Sequence, residues 1–120
     1  MTSPVVWFQI TGHDAAGLRS FYGDLFGWRF EQQEYADYGF VANHEPGIPG
    51  GVGKAENGPA GVTFYVGVDD QAAALAKAER LGGKAVMPPT PLPNGTTIAF
   101  FSDPEGNVVG LSGGGTPASR

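Results

Sequence analysis

Hydrophobic and polar residues follow two different periods along this chain, and the changes of period predict its elements. Val5–Gly12, "VVWFQITG", is aromatic and β-branched without a breaker, which predicts a strand. Ala15–Phe26, "AAGLRSFYGDLF", carries apolar residues at helical spacing. Asp14 before it is a good N-cap, and Gly27 after it ends the helix. The chain therefore begins with a predicted strand and an amphipathic helix.

Three short strands are predicted to follow the helix, at residues 28–35, 38–43 and 50–55. The last of them lies in a segment rich in glycine and proline, and its register stays open. A second series then begins with a strand at 62–68, the capping pair Asp69 and Asp70, and a helix at 71–81 that Gly82 and Gly83 stop. The remaining predicted strands are 84–89, which ends at a proline pair, 96–102 and 108–112.

The two series form an internal repeat with a shift of 56 residues. This shift places Asp14 on Asp70, Phe8 on Phe64 and Gly27 on Gly83. We therefore predict one domain over residues 1–120, built from two βαβββ units at about 4–56 and about 60–113, with a flexible tail at about 114–120. Such short repeats usually share one core.

Composition and charge narrow the classes of function. The chain has 120 residues, of which 41% are hydrophobic and 12% aromatic, so it can bury a core. A net charge of −5 argues against nucleic acid or an anionic membrane as a partner. The chain has no cysteine, no apolar run of membrane-spanning length and no evident secretion signal. We therefore expect a cytoplasmic protein with neither a disulfide framework nor thiolate chemistry.

Two motifs carry a family resemblance, "FYGDLFGW" at residues 21–28 and "DPEGN" at 103–107. With the tandem βαβββ pattern, the chain resembles the vicinal oxygen chelate superfamily over about residues 4–113, and its small glyoxalase-like members most. That superfamily includes glyoxalase I, bleomycin- and fosfomycin-resistance proteins and extradiol dioxygenases. The resemblance implies an α+β fold in which curled mixed sheets form a cup with the helices outside. It also implies a homodimer.

The resemblance also implies where a metal would bind. Metal enzymes of the superfamily carry His, Glu or Gln on the first and last strands of each unit, pointing into the cup. The matching positions here are Trp7, Thr63 and Gly110, and the fourth lies within 48–55, "IPGGVGKA", which contains none of these residue types. Because tryptophan, threonine and glycine are poor ligands for a divalent cation, we predict no metal site and no cofactor.

Strand alternation predicts what lines the cup instead. If Trp7 and Thr63 face it, Gln9 and Tyr65 do too, and Gly110 would leave room for part of a bound molecule. Aromatic walls with a few polar groups are typical of a small-molecule pocket. These five residues are the predicted ligand contacts, although Trp7 and Tyr65 could equally serve as core packing.

The other titratable residues favour structural roles, and the catalytic residues stay unknown. The roles of His44 and Glu45, in a glycine- and proline-rich loop, are left open. Asp103 fits ordinary turn chemistry. His13 next to the helix cap is interpreted as a surface or turn residue. The acidic positions Glu31, Glu34 and Asp37 are interpreted as solvated.

Three functions fit this sequence. The first is a metal-free protein that binds a small organic molecule in the cup. The second is a glyoxalase-like lyase or isomerase, or a dioxygenase-related enzyme, with non-standard or no metal ligands. The third is a structural or regulatory dimer without a ligand. The residues predicted for the cup favour the first, because Tyr65 is the only acid–base group among them and its reference pKa near 10 suits proton transfer poorly.

Overall fold

The computed structural model describes residues 2–32, 36–55 and 60–113. The chain divides into two compact units. The first unit is Trp7–Thr63, and the second unit combines residues 2–6 with residues 64–113. The predicted tail at about 114–120 lies outside the described residues.

The first unit contains the helix and four strands of one βαβββ series. Its strand order is β2-β3-β4-β1, in which β1 runs parallel to β4 and the other neighbours are antiparallel. The first two residues of β1 group with the second unit. The elements are β1 (Val5–Gly12), α1 (Ala15–Phe26), β2 (Phe30–Gln32), β3 (Tyr38–Val41) and β4 (Gly50–Lys54).

The second unit repeats this arrangement. Its strand order is β5-β8-β7-β6, with β5 parallel to β8 and the other neighbours antiparallel. The elements are β5 (Gly61–Val68), α2 (Gln71–Arg80), β6 (Lys84–Pro91), β7 (Thr97–Ser102) and β8 (Val108–Gly113). The predicted α+β class with tandem βαβββ units is therefore confirmed.

Both helices begin at the predicted caps. The carboxylate of Asp14 accepts a hydrogen bond from the Gly17 backbone nitrogen at 3.0 Å, and that of Asp70 accepts one from the Ala73 nitrogen at 3.0 Å. Gly27 ends α1 in the left-handed conformation, with φ 75°. These contacts satisfy backbone groups that a helix leaves unpaired at its ends.

Each helix packs on one face of the strands of its own unit and buries an apolar layer there. In the first unit this layer includes Ile10, Ala15, Val41 and Val52, the last fully buried. In the second unit Leu75 of α2 packs against Ala99, Leu111 and their neighbours. The sheet face turned away from the helix, which we call the helix-free face, is where candidate functional residues lie.

Several details differ from the sequence prediction. The strand predicted at 28–35 begins at Phe30, and its residues 33–35 lie outside the described part of the chain, whereas the strand predicted at 38–43 ends at Val41. The sixth strand does not end at its proline pair but continues to Pro91, with register shifts along the way. Proline is tolerated there because β6 pairs with β7 alone, so its other edge needs no backbone donors. After α2 the positive-φ residue is Gly82, at 101°, rather than Gly83, so the repeat loses its 56-residue shift at the helix stop.

The predicted turn between β7 and β8 is organised by one carboxylate. The two Asp103 carboxylate oxygens accept hydrogen bonds from the side-chain nitrogen of Asn107 at 3.0 Å, and from the backbone nitrogens of Asn107 and Glu105, each at 2.9 Å. Because these bonds favour the charged form, with the Asn107 side chain first, the pKa of Asp103 is lowered from 3.8.

This turn predicts a loss of stability in acid. The unfolded chain has the ordinary Asp103 pKa of 3.8, so the stabilisation is fully present above that pH and is lost as pH falls through the lower folded-state pKa. We expect Asp103→Asn to lower the free energy of unfolding at pH 7 and to reduce its decline below pH 4, measured by urea unfolding at both pH values. The exposed Asp24→Asn is the control, and an equal effect of both variants would contradict the prediction.

Candidate functional site on the helix-free faces

The two faces of β1 have different surroundings, as the alternation predicts. Phe8 lies on the helix side, where its ring is 5.3 Å from that of Trp28. Trp7 and Gln9 point to the helix-free face, and both are half-buried. The sequence prediction that these two residues share one face, away from the helix, is consistent with this arrangement.

Three aromatic side chains form a cluster on the helix-free face of the first unit. The indole Nε1 of Trp7 donates a hydrogen bond to the hydroxyl of Tyr38 at 2.8 Å. The ring of Phe40 meets both in edge-to-face geometry, with centroids 5.3 Å from Trp7 and 5.9 Å from Tyr38. We call Trp7, Tyr38 and Phe40 the aromatic panel. All three residues are half-buried.

The Tyr38 ring of the panel rests on a strand face that has no side chains. In β4, Gly51 is paired with Phe40 and Gly53 with Tyr38. A Cβ atom at either glycine would overlap the ring of Tyr38. Both glycines are therefore required for the phenol to lie flat against the sheet.

A similar contact occurs in the second unit. Tyr65 of β5 is paired with Gly110 of β8, and a Cβ atom at Gly110 would overlap the tyrosine ring. Tyr65 is only 6% exposed, and its ring centroid is 5.5 Å from that of Phe100. The room that we expected at Gly110 for a ligand is thus occupied by a side chain of the protein.

A buried hydroxyl lies on the same face of the second unit. Ser112 follows Gly110 by two residues in β8 and is 2% exposed. Its Oγ has no hydrogen-bond partner within the described ranges. Because an unpaired buried hydroxyl is unfavourable, this position favours a polar contact from a water or a ligand.

The register of β4 identifies the metal-ligand position that the sequence left open. Tyr65 is paired with Gly110, and Gln9, which lies 56 residues earlier, is paired with Gly51. Gly51 is therefore the counterpart of Gly110. The four positions that the resemblance assigns to metal ligands hold Trp7, Gly51, Thr63 and Gly110, and this set does not fit a divalent cation.

Other titratable residues do not supply a replacement. Among residues 2–32, 36–55 and 60–113, no three His, Cys, Asp or Glu side chains lie close enough to hold a metal ion. His44, in the turn after β3, has its Nδ1 3.4 Å from the Gly47 carbonyl oxygen, and Glu45 is exposed. His13 is also exposed, as interpreted from the sequence.

The described members of the acidic run are exposed, as interpreted, but one of them also has a specific partner. Asp37 forms an ion pair with Arg19 of α1 at 2.8 Å, so it has a specific partner. Glu31 is exposed, and Glu34 lies outside the described residues.

The structure thus distributes the five predicted ligand contacts over two faces. Trp7 and Gln9 share the face of the first unit, whereas Tyr65 and Gly110 contact each other in the second. Thr63 lies in β5, half-buried, two residues before Tyr65. Sequence reasoning missed Tyr38 and Phe40, although the alternation in "YGFV" places both on one face of β3.

Comparison with known proteins identifies the family. The model of the glyoxalase/bleomycin resistance protein/dioxygenase superfamily matches residues 5–111. The chain belongs to this superfamily. The resemblance drawn from the two motifs is therefore confirmed. Within the described part of the chain, neither helix has the length and apolar character needed to cross a membrane.

Curated relatives share the family but are longer. A putative glyoxylase, CFP32, from Mycobacterium bovis is 28% identical over 119 residues, which cover 88% of this chain and 43% of the relative. The same protein from Mycobacterium tuberculosis matches equally. The chain thus spans less than half the length of these relatives.

Solved structures support the fold. A superfamily member from Vibrio splendidus 12B01 has a TM-score of 0.65 at 14% identity, covering 93% of this chain and 99% of that one. A variant of Streptomyces coelicolor methylmalonyl-CoA epimerase, in complex with 2-nitronate-propionyl-CoA, has a TM-score of 0.61 at 16% identity, covering 94% and 95%. At this identity the likeness concerns the fold alone.

Because the Tyr65 ring lies over Gly110, a side chain introduced at Gly110 should destabilise the protein. We expect Gly110→Ala to lower the free energy of unfolding by about 1–3 kcal/mol, because the new methyl group displaces the Tyr65 ring. Gly110→Glu should be destabilised similarly and should bind no divalent cation tightly, because Trp7, Gly51 and Thr63 cannot complete a site. Urea unfolding and titration with Ni²⁺, Zn²⁺ and Mn²⁺ measure both effects.

A double variant provides the control for this prediction. Tyr65→Leu removes the ring, so Gly110→Ala should cost less in that background than in the wild type. Equal costs would show that the ring does not limit the space at Gly110. Tight metal binding by Gly110→Glu would show that the assignment of the ligand positions is wrong.

Proposed function

We propose that this protein binds a small organic molecule on its helix-free faces without a metal ion. The observation that carries the proposal is the aromatic panel, a group of three half-buried aromatic residues in which the Tyr38 ring lies over Gly51 and Gly53. A planar apolar or aromatic ligand suits such a surface, because stacked rings bury area at little conformational cost. Gln9, Thr63 and Tyr65 remain proposed contacts alongside Trp7, whereas Gly110 would act through the Tyr65 ring that covers it.

The net charge of the protein indicates which ligand charge is favoured. A net charge of −5 disfavours anions and favours a neutral or cationic molecule. Metal independence is part of the proposal. It is supported by the residue types at the four positions that the resemblance assigns to metal ligands. A cytoplasmic location likewise stays a prediction.

A homodimer is also proposed, and the surface of α1 supports it. Phe21, Leu25 and Phe26 are 57%, 57% and 58% exposed. Apolar side chains grouped in this way are unfavourable in water and are typical of protein interfaces. Sedimentation velocity tests this proposal, and a monomer at micromolar concentration would contradict it.

An enzymatic function is the second candidate, and the name of the CFP32 relatives favours it. Such an enzyme would be a glyoxalase-like lyase or isomerase, or related to the dioxygenases. It would need an acid–base group in contact with substrate. Among the described residues, Tyr38 and Tyr65 are tyrosines on the helix-free faces, and each is packed over glycine.

The panel predicts a fluorescence response to ligands. In a Trp28→Phe background, the remaining tryptophan is Trp7, since the chain has 2 tryptophans. We expect neutral and cationic planar aromatic compounds to change Trp7 emission in a saturable way, and anionic analogues to do so less, because of the negative charge. Fluorescence titration with a set of neutral, cationic and anionic aromatic compounds measures this response.

The matched control exchanges the two tryptophans. A Trp7→Phe protein retains Trp28, on the helix side, and its emission should not respond to the same compounds. If none of the compounds gives a saturable change in Trp7 emission, the binding proposal is wrong and the dimer without a ligand is favoured. An equal response of Trp28 would show that binding is not on the helix-free face.

Metal content separates the two candidate functions. We expect purified protein to contain far less than one equivalent of nickel, zinc, manganese or iron, because the four positions that the resemblance assigns to metal ligands hold tryptophan, threonine and glycines, which are poor ligands. Elemental analysis after expression in metal-supplemented medium measures this. A stoichiometric metal that dialysis does not remove would overturn the metal-free proposal and support an enzyme with substitute ligands.

A further inference from the structure

Arg19 of α1 is a cation in an unexpected place. It occupies a position of the amphipathic helix that faces the sheet, and its side chain is only 14% exposed. Its Cδ lies against Gly39 of β3, at a point where a Cβ atom would collide with it. Because a guanidinium is costly to remove from water, such a residue needs specific partners.

The guanidinium has two partners, one on the residue that precedes β3 and one in β4. One terminal nitrogen, Nη2, donates to the carboxylate of Asp37 at 2.8 Å. The other, Nη1, donates to the carbonyl oxygen of Val52 at 3.1 Å. The planar fork of arginine can hold both groups at once, whereas a lysine ammonium is a single point charge.

Both partners are neighbours, in the chain, of residues that hold the Tyr38 ring. Asp37 immediately precedes Tyr38 in the chain. Val52 stands between Gly51 and Gly53, the two glycines beneath the ring. Arg19 therefore holds, from the helix side of the sheet, the residue before the tyrosine and the floor on which its phenol lies.

Asp37 is held by its backbone as well. Its carbonyl oxygen accepts a hydrogen bond from the Lys54 nitrogen at 2.8 Å, at the end of β4. The carboxylate is 47% exposed, so the ion pair is partly screened, but the bond to the buried Val52 carbonyl is not on the surface. Together these contacts fix the start of β3 against the end of β4.

We propose that Arg19 is a positioning residue, which acts through Asp37 and Val52 to keep Tyr38 in place as the acceptor for Trp7. The inference deepens the proposed function, on which its relevance to ligand binding rests. Without the guanidinium, the start of β3 would shift relative to β4, and the hydroxyl of Tyr38 would leave the 2.8 Å contact with the Trp7 indole.

The test observes that indole directly and needs no ligand. In nitrogen–proton NMR spectra, the two indole N–H signals of Trp7 and Trp28 are assigned with Trp7→Phe. We expect Arg19→Met, which keeps the aliphatic stem over Gly39, to shift the Trp7 signal and to raise its hydrogen-exchange rate about fivefold, as loss of one hydrogen bond implies. The Trp28 signal in the same spectrum should stay unchanged.

Further variants separate positioning from general stability. Arg80→Met removes an exposed arginine from α2 and should leave the Trp7 signal in place. Asp37→Asn and Arg19→Lys should each give part of the effect. The changes in Arg19→Met and Asp37→Asn should not add in the double variant, because they break one ion pair.

The outcomes decide the inference separately from the proposed function. An unchanged Trp7 signal in Arg19→Met, even with lower stability, would overturn the positioning role. If that variant does not fold, unchanged signals in Arg19→Lys and Asp37→Asn would overturn it equally. A wild type that binds no compound would sink the proposed function, whereas the response of the indole would still support the role of Arg19.

Discussion

An aromatic ring can lie flat on a β-sheet only where the strand beneath it has no side chain, and this constraint explains the unusual strands of the protein. Gly51 and Gly53 lie beneath Tyr38, and Gly110 lies beneath Tyr65. Glycine weakens a strand, because it loses more conformational freedom on folding and packs nothing. Here the ring supplies the missing packing, so the rings and the glycines depend on each other.

The same pairs show what fills two of the positions that the family resemblance assigns to metal ligands. The glycines paired with Gln9 and Tyr65 occupy equivalent places in the two units, and these are two of those positions. In each unit a tyrosine ring covers the glycine, from β3 in the first and from β5 in the second. A carboxylate restored at either position would therefore meet a ring instead of an open coordination site.

Local signals in the sequence predicted most of the fold. The caps Asp14 and Asp70 act within three residues, and strand periodicity is likewise local, so both can be seen without tertiary information. The aromatic panel could not be predicted in the same way. Its geometry depends on the register of β4, and the glycines of "GGVGK" provide no alternation of side chains to fix that register. The role of Arg19 could not be predicted for a related reason, since its partners are 18 and 33 residues away in the sequence.

Energetics limit what the panel can achieve by itself. A planar ligand that buried about 200 Å² of apolar surface would gain about 5 kcal/mol. This gain is comparable with the low end of the free-energy cost of association, about 4–15 kcal/mol. The indole N–H of Trp7, the obvious donor on this face, is already bonded to Tyr38. Affinity and selectivity must therefore come from other polar groups, and Gln9, on the same strand face as Trp7, is the nearest in sequence. The panel would then provide area and orientation, and the polar neighbours would decide which molecule is bound.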